Sequence, residues 1–167
     1  MEDVRTIMDK TITTNFDLDI LTQALGLRTW IGMRDQFNSY VLSQYNFFII
    51  NVQSNRDTGL HWTGLYKKHQ TDGKINCIFF CPFGSNPMNE VVNACKKENA
   101  KLFFSNNIYQ HFKSNNCGFF VVAFLLSMAK GISFKAFSKI FSTEEKRNDR
   151  IVKRLITKEL IKLKRLN

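Results

Sequence analysis

Ser114-Asn115-Asn116-Cys117-Gly118-Phe119-Phe120-Val121-Val122-Ala123-Phe124-Leu125-Leu126 is a polar run that stops at a cysteine and then turns apolar. The apolar part, from Cys117 to Lys130, is long enough for a buried helix, and Gly131 can stop it. That layout puts the Cys117 thiol on the first turn of the helix. Unpaired N–H groups and the helix dipole there favour a thiolate. A structural cysteine opening a core helix is the competing reading.

Upstream, Tyr45 to Val52 is a continuous apolar run of strand length, expected as a central strand. Gly59 to Tyr66 is expected as the next strand, with His61 and Trp62 inside it. Thr71-Asp72-Gly73-Lys74 carries a hairpin signal, and Ile75 to Phe80 returns as a third strand. Pro82 to Pro87 breaks it, Met88 to Lys97 reads as a helix, and Lys101 to Phe104 as a short strand. Nearer the start, residues 1–15 read as an arm or a short helix. Asn15 or Asp17 can cap a helix that Gly26 ends. Thr29 to Met33 reads as a loop with aromatic anchors. Asn106 to Asn116 is a loop holding Gln110. The spacing of Phe134, Phe137 and Phe141 is helical and suits core packing.

The last segment carries the charge. The chain of 167 residues has a formal net charge of +10, and residues 144–167 hold nine Lys or Arg against four acids. Ser142 and Glu145 fit a capping box, so a basic amphipathic helix is expected over about 143–166. A docked helix with a solvated basic face is one reading. A polyanion contact through Lys153, Arg154, Lys158, Lys162 and Arg165 is the other. The element order gives an α+β fold, a small mixed sheet flanked by helices, in a single domain over 1–167. Length and apolar content suit one core. No stretch reaches a membrane span, and the first residues lack a signal-peptide layout. A reducing compartment, with Cys77, Cys81, Cys95 and Cys117 as thiols, is the expectation. Those cysteines and His61, His69 and His111 show no zinc spacing, so no metal is expected.

A cysteine nucleophile needs a base. His69 lies in a Lys-rich turn and His111 in a loop, which leaves His61 as the candidate. Acyl transfer also needs oxyanion donors. The Cys117 N–H can supply one, and Gln110 is placed to supply another.

Gly59-Leu60-His61-Trp62, then Phe80-Cys81-Pro82-Phe83-Gly84, then Gln110 and Cys117-Gly118-Phe119-Phe120 resemble, in order and spacing, the adenovirus-type cysteine proteases. That adenain-like group sits with the SUMO-deconjugating proteases. Leu25-Gly26 and Trp30 to Phe37 resemble the group's N-terminal region, so the resemblance runs from about residue 18 to about residue 130. It implies Cys117 as nucleophile at the head of a central buried helix, His61 as general base with Trp62 beside it, and Gln110 as an oxyanion donor. Cys81 stands where the group has an acid. A thiol is a weak hydrogen-bond partner and is uncharged at neutral pH unless its pKa is lowered. Asp57 and Asp72 are the other acids considered for that place.

By the same resemblance the protein would be a viral maturation protease that cleaves virion precursors through a thioester, in the virion and the host nucleus or cytoplasm. It would be a monomer needing no cofactor for chemistry, with DNA and a viral peptide as activators. Cys95 is the nearest candidate for a disulfide to such a peptide. Deconjugation of a ubiquitin-like modifier is the second reading. A catalytically weakened nucleic-acid-binding virion protein on the same scaffold is the third.

Overall fold

The computed structural model describes residues 3–53 and 61–166. Among them the architecture is α+β. Five strands run in sheet order β1 (Thr29–Met33), β2 (Phe47–Asn51), β3 (Trp62–His69), β4 (Ile75–Phe80) and β5 (Ala100–Phe104). The central three pair antiparallel, and the two edge strands pair parallel with their neighbours. Helices α1 (Val4–Asp9), α2 (Asn15–Ala24), α5 (Cys117–Ala129), α6 (Phe134–Ser138) and α7 (Asn148–Leu166) contribute to one hydrophobic cluster. Helices α3 (Ser39–Gln44) and α4 (Asn89–Lys97) contribute to a second.

The sheet is covered on both faces, and the strand sequences show why. Along β2, Phe48 and Ile50 belong to the α3/α4 cluster while Ile49 belongs to the α5 cluster. Along β4, Phe79 and Phe80 divide the same way. Strands buried on two faces read as continuous apolar runs, which is how both appear in the sequence.

α5 is the pivot. Every residue from Cys117 to Met128 is buried. Phe124 stacks on Phe80 with ring centroids 4.9 Å apart, and Phe137 of α6 closes on both rings. The Phe134/Phe137/Phe141 stripe is therefore core, as its spacing suggests. Gly131, at φ +75°, ends the helix in the left-handed conformation that glycine tolerates.

Several elements differ from the sequence reading. Thr29–Met33 is a strand, not a loop; it is half-buried and pairs parallel with β2. β3 begins at Trp62, so His61 precedes it, while Gly59 and Leu60 lie outside the described residues. The cap of α2 is Thr14, in a capping box with Asp17. The box at Ser142 and Glu145 does not form. Residues 145–147 make a 3-10 turn and α7 starts at Asn148, whose side chain takes the Ser142 N–H at 2.8 Å.

Gly64 of β3 is where the sheet meets α5 most closely. A Cβ there would lie 3.0 Å from side-chain atoms of Phe124 and Val121. Gly64→Ala is expected to cost about 1–3 kcal/mol through overpacking. Urea unfolding checks this, and an unchanged midpoint would mean that the helix can back away from the sheet.

Candidate active site

Cys117 is the first residue of α5 and is 4% exposed. Its Sγ accepts a hydrogen bond from the Trp62 backbone N–H at 3.4 Å. This contact ties the head of α5 to the start of β3, directly beside His61. Cys117 and His61 line one cleft of about 320 Å³, with Ile12, Phe83, Phe112, Ser114 and Asn115.

The imidazole of His61 lies against Phe83, ring centroids 4.9 Å apart. Its Nε2 is 3.4 Å from the Cys81 Sγ, and its Nδ1 is buried with no hydrogen-bond partner among the described residues. Cys81 thus sits where an orienting group is needed. Trp62 contributes two hydrogen bonds. Its backbone serves Cys117, and its indole N–H donates to the Thr13 carbonyl at 3.1 Å. That bond pins the arm between α1 and α2 beside the site. A Cβ on Gly118 would fall 2.1 Å from the Thr13 Oγ1, so a glycine after Cys117 lets the arm close in.

Pro82-Phe83-Gly84 makes the turn that presents Cys81 and Phe83. Gly84 has φ +72°, and a Cβ on it would lie 2.4 Å from the Asn106 carbonyl oxygen. The Pro82 carbonyl accepts from the N–H groups of Tyr109 and Gln110, so this turn also carries the loop before Cys117. Asp72 sits at the exposed β3–β4 turn, paired with Lys74. Asp57 lies outside the described residues.

Gln110 is fully buried. Its Nε2 lies 2.9 Å from the Ser114 carbonyl oxygen and 3.1 Å from the Ser114 Oγ. Its Oε1 is buried with no hydrogen-bond partner among the described residues. His69 ends β3 in solvent, and His111 stacks on the exposed Phe112.

Burial sets the protonation states. It pushes the Cys117 thiol up, with the nearby Cys81 adding to the rise. Backbone N–H groups of Trp62, Gly118 and Cys117 pull the other way. Burial pushes His61 down from 6.5 to about 4. At neutral pH both groups rest uncharged.

Cys95 is 1% exposed and shares a hydrogen bond with Cys77, which raises the Cys77 thiol further. Both lie within the α3/α4 cluster, so Cys95 is not presented for a disulfide to another chain.

On α7, Arg154, Lys158 and Lys162 are exposed. Lys153 is turned inward: its ammonium donates to the Lys10 carbonyl at 2.7 Å and lies over the Phe119 ring. The side chain of Arg165 lies outside the described residues. Lys146, Arg147 and Arg150, counted in the basic segment but left out of the expected contact set, line with Arg154 a concavity of about 630 Å³ at the start of α7.

Two crystal structures of the ASFV pS273R protease match with a TM-score of 0.63 at 15% identity, over 89% of this chain and 69% and 68% of theirs. This chain shares their fold. A structure of the SUMO protease Ulp1, with its catalytic cysteine oxidized to a sulfenic acid, matches with a TM-score of 0.46 at 12% identity, over 95% of this chain and 84% of that one. No family model matches the sequence, and no curated protein matches it.

The low His61 pKa has a stability consequence. The unfolded chain takes up the imidazole proton near pH 6.5 and the folded one only near 4. Stability is therefore full above about pH 6.5 and is lost as pH falls towards 4, by at most about 3 kcal/mol. Urea unfolding at pH 7 and pH 4 should show this loss in the wild type and less of it in His61→Ala. Equal losses in the two proteins would place the pH dependence elsewhere.

Proposed function

We propose that the protein is a cysteine endopeptidase. One observation carries the reading: a thiol at the head of a buried helix and a histidine with a buried, unpartnered Nδ1 open onto the same cleft. The Cys117 thiol gives its proton to His61 Nδ1 as the sulfur attacks the scissile carbonyl carbon. The Cys117 N–H and the Gln110 side-chain amide receive the oxyanion. His61 then protonates the leaving amine, and water hydrolyses the thioester. Cys81 orients the imidazole by accepting from Nε2–H. The shared fold with a viral protease supports a viral setting, with virion precursor proteins as substrates. The runner-up is deconjugation of a ubiquitin-like modifier by the same chemistry. Cleavage of a short peptide without a folded modifier separates the two.

Thiol-dependent hydrolysis of a fluorogenic peptide tests the activity. Cys117→Ala and His61→Ala should fall to background. Cys81→Asp should raise kcat, because an anion holds the imidazolium better than a thiol does; in the serine-protease template loss of that charge costs about 10⁴ in rate. Wild-type turnover that survives Cys117→Ala would sink the proposal.

A second reading adds a polyanionic partner, with DNA as the chemistry that fits. Arg147, Arg150, Arg154, Lys158 and Lys162 recur at three- and four-residue spacing on the side away from the buried Val152, Ile156 and Leu160. An activating peptide, if used, would bind without the Cys95 disulfide. Double-stranded DNA should bind with an affinity that falls as salt rises. Changing Arg150 and Arg154 together to Ala should flatten the log–log slope by about 2. A slope unchanged by the double variant would remove this face as the contact.

A further inference from the structure

We propose that Asp149, in the first turn of α7, is a positioning residue for the oxyanion side of the active site. The inference rests on the protease reading and names a part of the machinery outside the cleft.

Both carboxylate oxygens of Asp149 reach back 33 and 35 residues in sequence. Oδ1 accepts from the Ser114 hydroxyl at 2.8 Å, and Oδ2 accepts from the Asn116 side-chain amide at 2.8 Å. Hydrogen bonds to an ionised acceptor are stronger than neutral ones. An acid in a first helical turn commonly just complements the helix dipole. Here its oxygens are spent on another loop, the one that leads into the nucleophile.

The Ser114 hydroxyl makes the arrangement directional. A hydroxyl has one proton and two lone pairs. Asp149 takes the proton. The lone pairs then face the Gln110 Nε2 at 3.1 Å and the Asn116 backbone N–H at 3.2 Å. The hydroxyl is saturated, and its orientation is dictated by the carboxylate. Asn116 in turn opens α5, since its carbonyl accepts from the N–H groups of Phe119 at 2.9 Å and Phe120 at 3.3 Å. One carboxylate thus holds the Gln110 amide on one side and the residue before Cys117 on the other. Those are the two places from which oxyanion donors come. Asn148, next in the chain, reinforces the docking: its side chain donates to the Tyr109 carbonyl at 2.8 Å.

The test compares wild type, Asp149→Ala, Ser114→Ala and the double variant. Peptide turnover is normalised to the number of Cys117 thiols that an irreversible peptide-based probe labels in protein first cleared of unfolded chains by size-exclusion chromatography, since an unfolded chain exposes the same thiol. Asp149→Ala should lower kcat per labelled site by about 10- to 100-fold, less than the loss of an oxyanion donor outright, with KM little changed. The double variant should lose little more than Asp149→Ala alone, because the two act as one unit. An unchanged kcat per labelled site, or losses that multiply, would overturn the proposal. Hydrogen exchange gives a readout that needs no turnover. Asp149→Ala should speed exchange over residues 110–118 while β3 and the rest of α5 stay protected. Unchanged exchange over 110–118 overturns the positioning role. If the wild-type protein cleaves no peptide, the protease reading fails instead, and exchange alone judges the link.

Discussion

A helix that is apolar on every side has no face to give to water. α5 is such a helix, and its burial organises the molecule. It lies on β3, with α2, α6 and α7 around it. Close approach to the sheet is possible because Gly64 offers no side chain, and close approach of the N-terminal arm because Gly118 offers none. With the barrel of the helix enclosed, its first turn is the part that meets the cleft, and Cys117 stands there. The hydrophobic effect that buries Phe119, Phe120, Val121 and Phe124 therefore also places the thiol.

The same burial works against the chemistry. Removing water from the site raises the Cys117 thiol and lowers the His61 imidazole, which favours the uncharged pair over a thiolate–imidazolium pair. Backbone N–H groups around the sulfur offset part of this. In a neutral pair the proton has to move as the sulfur attacks, and negative charge then appears on the substrate oxygen. On the proposed reading, stabilising that oxygen becomes the larger share of the work, which is where a loop hydrogen-bonded to both Pro82 and α7 matters.

Much of this was legible in the sequence, for identifiable reasons. β2 and β4 are apolar on consecutive residues because both faces are covered. Asp72-Gly73 marks a local hairpin, and α5 declares itself by length. What escaped depends on distant partners. Thr29-Trp30-Ile31-Gly32-Met33 has no strand alternation because it is a half-buried edge, held by parallel pairing with a segment eighteen residues on. Ser142 and Glu145 carry the letters of a capping box, yet Asn148 captures the Ser142 N–H, and the helix starts five residues later than that box would set it. Lys153 looks like its basic neighbours, but it follows the buried Val152 and finds the Lys10 carbonyl. Asp149 shows no local sign at all, since its partners lie more than thirty residues upstream. His61, Cys81 and Cys117 could be ordered by chemistry from the sequence, but their adjacency is a property of the sheet.

Cys81 is the residue on which the resting state turns. It is 1% exposed, so a carboxylate in its place would be a buried charge. Such a charge is tolerable only when His61 is protonated beside it, and an unpaired one is strongly destabilising. A thiol avoids that cost, at the expense of imidazolium stability in the proposed transition state. The trade is visible in His61 itself: its pKa falls to about 4 with burial as the cause, because no anion at Nε2 opposes the shift. A carboxylate at position 81 would raise that pKa and shift the pair towards thiolate and imidazolium. On the proposed reading, the site gives up that ion pair for a core that is cheaper to fold, and the oxyanion donors supply the difference.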